Sequence, residues 1–415
     1  MKSQLPVVCA SLLFAAGIAP AQDIAVRGDM VYPVTAPPIE DGVIVIENGK
    51  IANIGPAGDV RVPDGIEVLE AAVVTPGLID AHSVVGLAGW LNQDMAQDQI
   101  EHTAAIQPEL RAIDAYNPRE PLIAWVRSFG VTTVHTGHAP GEIVSGQTLV
   151  AKTTGDTVAE SVIVPFAMVA ATLGEGAVID DANGRKSPGN RSKAVAMLRS
   201  ELVAAQDYLT GRAKSNGDED ENGEGNGSGR DLRLEALGRV LKREVPLLVT
   251  AHRHNDIVTA LRIADEFDVD LVLDGAAEAY LVLDEIEAAG VPVIVHPSMT
   301  RAYGEKENIS FTTPSKLRDA GIPFAFQSGF EGYVPKTRVV LFESAITLQH
   351  GLSLEQALAH LTIEAARILG IDERVGSLEP GKDGDLALYD GNPFEYTTHA
   401  VGTIIEGERV SDVRR

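Results

Sequence analysis

The first strong pattern along the chain is a pair of apolar, β-branched runs near its start. Residues 42–54 read GVIVIENGKIANI, in which Asn48-Gly49 separates the two runs. This arrangement predicts a β-hairpin, because both central residues of its tight turn adopt positive φ. Similar strand patterns with a Glu406-Gly407 turn occur at residues 384–389 and 401–410. Segments from both ends of the chain could therefore share one small sheet.

The middle of the chain changes to an alternation of strand-like and helix-like segments. Between residues 247 and 297 the pattern reads strand, helix, strand, helix, strand, and residues 316–328 add a helix and another strand. Successive βα units with short connections imply parallel strands and right-handed crossovers. Earlier strand candidates are residues 73–81, 130–136, 149–152 and 162–169. If these strands close a barrel, its chemistry is expected at their carboxyl ends.

Polar side chains stand directly after several of the apolar runs. They are His82, His135, His138, His252, Asp274, His296 and Gln327. We predict that His135, His138 and Gln147, which belong to one Gly-rich stretch, contact a substrate. The alternatives are a loop in which the two imidazoles bond backbone groups, and a buried structural amide at Gln147.

The composition of the chain limits its possible binding partners, and its first residues indicate its cellular compartment. The 415 residues carry 34 Lys and Arg against 59 Asp and Glu, a net charge of −25. Nucleic acid and anionic lipid are poor partners for this chain, since phosphate binding needs clustered Lys and Arg. Residues 1–21 combine Lys2, an apolar run and a small-x-small ending at Ala21, which predicts a secretory signal peptide cleaved near Ala21. We expect a periplasmic or secreted protein without membrane insertion after cleavage.

Two further segments restrict the chemistry. The single cysteine, Cys9, lies inside the predicted signal peptide. The mature chain would then have no disulfide, no thiolate nucleophile and no Cys-ligated zinc. Residues 214–229, KSNGDEDENGEGNGSG, contain no apolar side chain and cannot bury surface, which predicts a disordered acidic insert.

Several motifs, in this order, resemble the amidohydrolase superfamily and in particular its imidazolonepropionase-like, secreted branch. They are the β segment at 42–55, VVTPGLIDAH at 73–82, GVTTVHTG at 130–137, AHRHNDIVTALRIA at 251–264, and the stretch from LTIEAARILGI at 361 to PGKDGDL at 386. The resemblance implies an α/β fold: a (β/α)8 TIM-like barrel over 76–375 beside a small β-sandwich built from 22–75 and 376–415. It also implies metal-dependent hydrolysis of carbon–nitrogen bonds in a small-molecule substrate, namely a non-peptide amide, a cyclic imide or a small peptide-like molecule.

The same resemblance implies metal ligands, and this sequence departs from the family pattern at several of them. His82 and His252 are retained. Val84, Thr250 and Gly329 stand where the family carries ligands or the proton-accepting Asp. Glycine can neither bind a metal nor accept a proton, so the site is altered.

Two interpretations of the altered site remain open. In the first, His82, His252 and His296 hold a divalent metal, expected to be zinc, while Asp274 replaces a family His and Glu331 supplies a carboxylate near the missing Asp. Such a site, possibly mononuclear, would activate a bound water for attack on a carbonyl, with Asp274 and Glu331 as catalytic residues. In the second, the pocket binds a small molecule without hydrolysing it.

Overall fold

The computed structural model describes residues 23–91, 93–178, 187–217, 230–296, 302–330 and 340–415. These residues form sixteen strands: β1 Ile24–Val31, β2 Ile39–Glu47, β3 Lys50–Pro56, β4 Glu67–Pro76, β5 Leu78–Ser83, β6 Val131–Gly137, β7 Val144–Lys152, β8 Val162–Val164, β9 Val169–Thr172, β10 Leu247–Ala251, β11 Leu271–Gly275, β12 Val293–Val295, β13 Phe324–Phe326, β14 Leu386–Tyr389, β15 Ala400–Ile405 and β16 Glu408–Ser411. They also form eleven α-helices: α1 Ala112–Ala115, α2 Pro121–Arg127, α3 Val158–Ser161, α4 Arg191–Gly217, α5 Leu232–Leu241, α6 His254–Phe267, α7 Leu283–Ala289, α8 Thr313–Asp319, α9 Val340–Leu348, α10 Leu354–His360 and α11 Ile363–Ile368.

Seven strands from the two ends of the described chain form one sheet. Their order is β16-β15-β14-β4-β1-β2-β3. The hairpin between β2 and β3 turns at Asn48 and Gly49, which have φ of 52° and 79°. β4 joins the two halves, since it pairs in parallel with β1 and antiparallel with β14. The predicted sheet shared by both ends of the chain is thus confirmed, while the domain limits stay predictions.

The second sheet is a nearly closed barrel of eight strands in the order β13-β12-β11-β10-β9-β7-β6-β5. From β9 to β13 each strand pairs in parallel with the next, and β5 pairs in parallel with β6. Across the seam between β5 and β13, the backbone N–H of Ser328 donates to Asp80 Oδ1 at 3.0 Å, and the Ser328 hydroxyl donates to Oδ2. The predicted TIM-like α/β fold is confirmed.

One strand departs from the all-parallel (β/α)8 pattern. β7 runs antiparallel to both of its neighbours, β6 and β9. Only residues 138–143 join β6 to β7, and a connection of that length makes a hairpin, because a parallel crossover needs a dozen or more residues. The predicted single strand at 162–169 is wrong in detail: β8 pairs with β7, and β9 separately joins the barrel.

The barrel and the terminal sheet meet at a buried lysine. Lys152, the last residue of β7, places Nζ 3.0 Å from Asp383 Oδ2 and 2.5 Å from Asp385 Oδ2. Arg374 Nη2 lies 2.9 Å from Asp383 Oδ2, and the partly exposed Lys50 also contacts Asp383. The motif PGKDGDL therefore supplies the carboxylates that pair with a barrel strand.

Two predicted segments and one predicted site residue fall partly or wholly outside the described residues. Helix α4 extends to Gly217, so residues 214–217 of the predicted acidic insert have a helical backbone. Residues 218–229 and the predicted signal peptide, 1–21, lie outside the described part of the chain, and so does Glu331. Among the described helices, none has the length and apolar character that crossing a bilayer requires.

Candidate active site

The mouth of the barrel gathers polar side chains from five strands. His82 belongs to β5 and Asp274 to β11, while His252, His296 and Gln327 directly follow β10, β12 and β13. Parallel strands present their carboxyl ends at one face of a barrel, which brings these positions together. The sequence prediction that the strand ends carry the site is consistent with this placement.

Asp274 is the centre of a buried hydrogen-bond network. Its Oδ1 lies 3.0 Å from His82 Nδ1 and accepts the Gln327 side-chain N–H at 2.8 Å, while Oδ2 accepts the Thr250 hydroxyl at 2.5 Å. Burial raises the pKa of the carboxyl, but His82 and Thr250 outweigh burial and hold the pKa of Asp274 below its usual value. An ionised carboxylate only accepts hydrogen bonds, so Nδ1 of His82 carries the proton.

Two acceptor atoms on the side chains that bond Asp274 have no hydrogen-bond partner within the described part of the chain. With the proton on Nδ1, a neutral His82 presents a lone pair at Nε2, and this atom is buried and unpartnered. Gln327 donates to Asp274 and, at 3.2 Å, to the carbonyl of Ile294, which leaves its Oε1 buried and unpartnered. Each such group costs about 1–3 kcal/mol when it stays unpaired.

His82 is wedged between two rings. His135 stacks on it with ring centroids 5.1 Å apart, and Phe330 meets it edge-on at 4.5 Å. His135 is fully buried, with Nδ1 2.6 Å from the Ala81 carbonyl and Nε2 2.7 Å from the Thr148 hydroxyl. Burial lowers the pKa of His135 to about 3, with a further contribution from His82, so the ring is neutral. Its contacts give His135 a supporting role, and they do not support the predicted substrate contact.

A second imidazole pair stands next to the network. The rings of His252 and His296 lie 4.9 Å apart, nearly edge to face. A Cβ atom at Gly275 would lie 2.5 Å from Cε1 of His252, so glycine at this position makes room for the ring. Burial lowers the pKa of His252 to about 4, and Lys306 acts in the same direction. His252 is therefore neutral at physiological pH.

The remaining predicted site residues have different surroundings. Gln147 donates its side-chain N–H to the carbonyl of Pro108 at 3.0 Å, and its backbone N–H to that of Leu110 at 2.7 Å. These contacts are those of a buried structural amide and do not support the predicted substrate contact. His138 is buried, and burial lowers its pKa; its contact with a substrate stays a prediction.

The described residues do not by themselves assemble the predicted metal centre. Within the described residues, no three His, Cys, Asp or Glu side chains stand close enough to hold a metal ion. In the proposed set of His82, His252, His296 and Asp274, both oxygens of the aspartate already accept hydrogen bonds from neighbouring side chains. In the described residues these four side chains form a hydrogen-bonded His–Asp pair with a separate His pair beside it, and the zinc site stays a prediction.

Sequence reasoning missed the partners that fix Asp274. The sequence identifies Thr250 only as a lost ligand and Gln327 only as a strand-end residue, yet both donate to this carboxylate. These contacts depend on the strand register, which the sequence pattern alone does not contain. Thr250 lies directly opposite Asp274 on the neighbouring strand.

Comparison with known proteins agrees with the fold and the motifs. A model described as "Amidohydrolase family" matches residues 288–411. An imidazolonepropionase of Rhizorhabdus wittichii is 26% identical over 384 residues, which cover 85% of this chain and 88% of that protein. Amidohydrolase tasK of Hapsidospora irregularis is 25% identical over 397 residues, and the match covers 88% of this chain but only 39% of that protein.

A solved structure extends the similarity to nearly the whole chain. The crystal structure of an amidohydrolase from Thermotoga maritima MSB8 superposes with a TM-score of 0.87 at 29% identity, and the match covers 94% of this chain and 100% of that one. Members of this superfamily usually bind divalent metals. The matched family, the relatives and the solved structure together support the amidohydrolase superfamily, and in particular its imidazolonepropionase-like branch, for this chain.

Proposed function

We propose that this protein hydrolyses a carbon–nitrogen bond in a small amide, cyclic imide or peptide-like substrate bound at the barrel mouth, with His82 as the proton acceptor. The observation that carries the proposal is the unpartnered Nε2 of His82, whose opposite nitrogen is fixed by Asp274. A carboxylate that orients an imidazole and stabilises its protonated form is a recurring arrangement in general-base catalysis. The relatives named imidazolonepropionase support a cyclic amide as the substrate class.

The proposed steps use only side chains of this chain. A water molecule attacks the carbonyl carbon while one of its protons passes to Nε2 of His82. Asp274 stabilises the resulting imidazolium through Nδ1. As the carbon–nitrogen bond breaks, the proton passes from Nε2 to the departing nitrogen, so that an amide gives a carboxylic acid and an amine, a cyclic imide gives a carboxylic acid and an amide, and His82 is neutral again.

The variant His82→Asn tests this role. The side-chain N–H of asparagine can take the place of the Nδ1 donor to Asp274, but no atom replaces Nε2. Turnover of hydantoin, glutarimide and imidazolone substrates should fall by about 10²- to 10⁴-fold, the usual contribution of general acid–base catalysis. The matched control is His350→Asn, which changes a histidine that stacks on Phe311 outside the site. The control should keep the activity of the natural protein.

The metal is tested in the same assay. Zinc, manganese and iron are measured by elemental mass spectrometry, and turnover is compared before and after chelation. Activity that persists without metal supports the His82 role. Activity that is lost on chelation and restored by zinc would contradict it and would favour the predicted metal-activated water.

A small-molecule-binding protein on the same barrel is the second candidate. It is favoured by Gly329 and Val84, which cannot act as the ligands that the family pattern has at these positions. Saturable binding of the same compounds by natural protein that turns none of them over, with or without added metal, would establish it.

We also propose that the protein is exported, on the pattern of residues 1–21. Cleavage after Ala21 would make Gln22 the first residue of the mature chain. Intact-mass measurement of the protein recovered from the periplasmic fraction is expected to give that start. Recovery of uncleaved chain from the cytoplasm would contradict export.

A further inference from the structure

Gln327 holds an acceptor atom in a fixed direction inside the site. Its side-chain N–H group donates to Asp274 Oδ1 at 2.8 Å and to the carbonyl of Ile294 at 3.2 Å. The reversed amide would set Oε1 against two other acceptors, so the contacts determine which end is oxygen. Oε1 therefore faces away from both of these oxygens.

Among the described residues, the side chains that bond Asp274 have no donor left for Oε1 of Gln327. The single hydroxyl proton of Thr250 is used by Asp274, and so is the Nδ1 proton of His82. Nε2 of a neutral His82 is itself an acceptor. Gln327 is fully buried, and within the described residues its Oε1 has no hydrogen-bond partner. The missing donor is therefore expected from a bound molecule.

We infer that Oε1 of Gln327 accepts a hydrogen bond from an N–H group of the substrate and so makes this protein selective for unsubstituted amides and cyclic imides. The inference deepens the proposed function and rests on it, because it names the substrate class of the same site. An N-methyl group in place of that hydrogen removes the donor and leaves Oε1 buried and unpaired. Sites built to hydrogen-bond a substrate N–H discriminate strongly against analogues that lack it.

Matched ligand pairs test the inference without relying on turnover. Hydantoin, glutarimide and N-acetylglycinamide are each compared with their N-methyl counterparts by isothermal titration calorimetry, with His82→Asn protein to prevent hydrolysis. At least one N–H ligand should bind about 100-fold more tightly than its N-methyl partner. Equal affinities within every pair, or no binding of any N–H ligand, would overturn the inference.

Two variants separate direct recognition from a general disturbance of Asp274. Gln327→Met has a side chain of similar length but no amide oxygen. The N-methyl ligand should then bind no more than about threefold more weakly than its N–H partner. Thr250→Val also removes one donor to Asp274 but leaves Gln327 in place, so its N–H preference should remain while absolute affinities change. A preference that survives in Gln327→Met, or disappears equally in Thr250→Val, would contradict recognition by Oε1.

The same measurements distinguish failure of this inference from failure of the proposed function. Preference without turnover by the natural protein would overturn hydrolysis and leave Gln327 as the selective contact of a binding protein. Turnover without preference would support hydrolysis and overturn the role of Gln327.

Discussion

Lys152 illustrates how a single buried charge acquires its partners in this molecule. Burial lowers the pKa of its ammonium, but Asp385 and Asp383 outweigh burial and raise the pKa of Lys152 above its usual value. Burial likewise raises the pKa of Asp383, while Lys152, Lys50 and Arg374 together hold it below its usual value. Both charged forms are therefore favoured by folding. The pairing explains Lys152 without any modification of its amine.

Replacing this lysine should destabilise the protein strongly. Lys152→Met leaves two buried carboxylates without their central cation, which costs about 3–5 kcal/mol in the free energy of unfolding. The matched control is Lys50→Met, whose side chain is 50% exposed and contacts the same Asp383. The control should lose less than about 1 kcal/mol. Urea unfolding of both variants at pH 7 measures the difference, and similar losses would contradict this assignment.

The same pair should give a defined pH dependence. A carboxyl whose pKa is lowered by folding contributes stability that is complete above its unfolded pKa of about 4 and is lost as the pH falls through the folded value. A lysine whose pKa is raised contributes stability below about pH 10.4, lost as the pH rises through its folded value. The difference between natural protein and Lys152→Met should therefore be constant near neutrality and shrink in acid below about pH 4. A difference that stays unchanged down to pH 3 would contradict the pairing.

At the scale of the elements, the glycine of the PGLIDAH motif sets the spacing between β5 and β6. A Cβ atom on Gly77 would lie 2.2 Å from both Cγ2 and Oγ1 of Thr132. Its backbone N–H donates to the carbonyl of Asp385 at 2.9 Å, which ties the start of β5 to the terminal sheet. Close approach of the backbone, with no positive φ, is the reason for glycine here.

A single methyl group at this point should push the two strands apart. Gly77→Ala is expected to lower the free energy of unfolding by about 1–3 kcal/mol, the usual cost of overpacking. Gly58→Ala is the matched control, because its added Cβ meets no atom within 4 Å. The control should change stability by less than about 1 kcal/mol. Thermal unfolding of both variants decides, and a Gly77→Ala protein as stable as the control would refute the steric explanation.

For the whole molecule, the sequence pattern predicts those structural elements that depend on local periodicity. The hairpin at Asn48-Gly49 and the βα alternation after residue 247 follow from neighbouring residues, and both are present. The antiparallel direction of β7 depends on the length of the loop before it. That length follows from the ends of β6 and β7, which the sequence pattern does not define. Strand-end positions such as His82 and Asp274 were predictable, because parallel strands end at one face.

What sequence patterns did not reveal is how those side chains are used. Whether Asp274 binds a metal or accepts hydrogen bonds depends on the direction of its neighbours, and the strand register that places Thr250 opposite it is a tertiary property. The same holds for His135. Its two ring nitrogens bond Ala81, which is distant in sequence, and Thr148, which follows the turn between β6 and β7. Residue types at these positions indicated a polar site, whereas tertiary packing determines which hydrogen bonds each side chain makes.

The pairing of β4 with β14 has a consequence for the synthesis and folding of the protein. Pro76 lies opposite Leu386, so the edge of β4 has no partner until the ribosome has made almost all of the barrel. At about 5–20 residues per second, this interval is roughly 15 to 60 seconds. An open strand edge is a template for pairing with other chains. The unfolded chain is therefore open to pairing at the β4 edge until β14 reaches it, and a chaperone that shields this edge would act before the terminal sheet is complete.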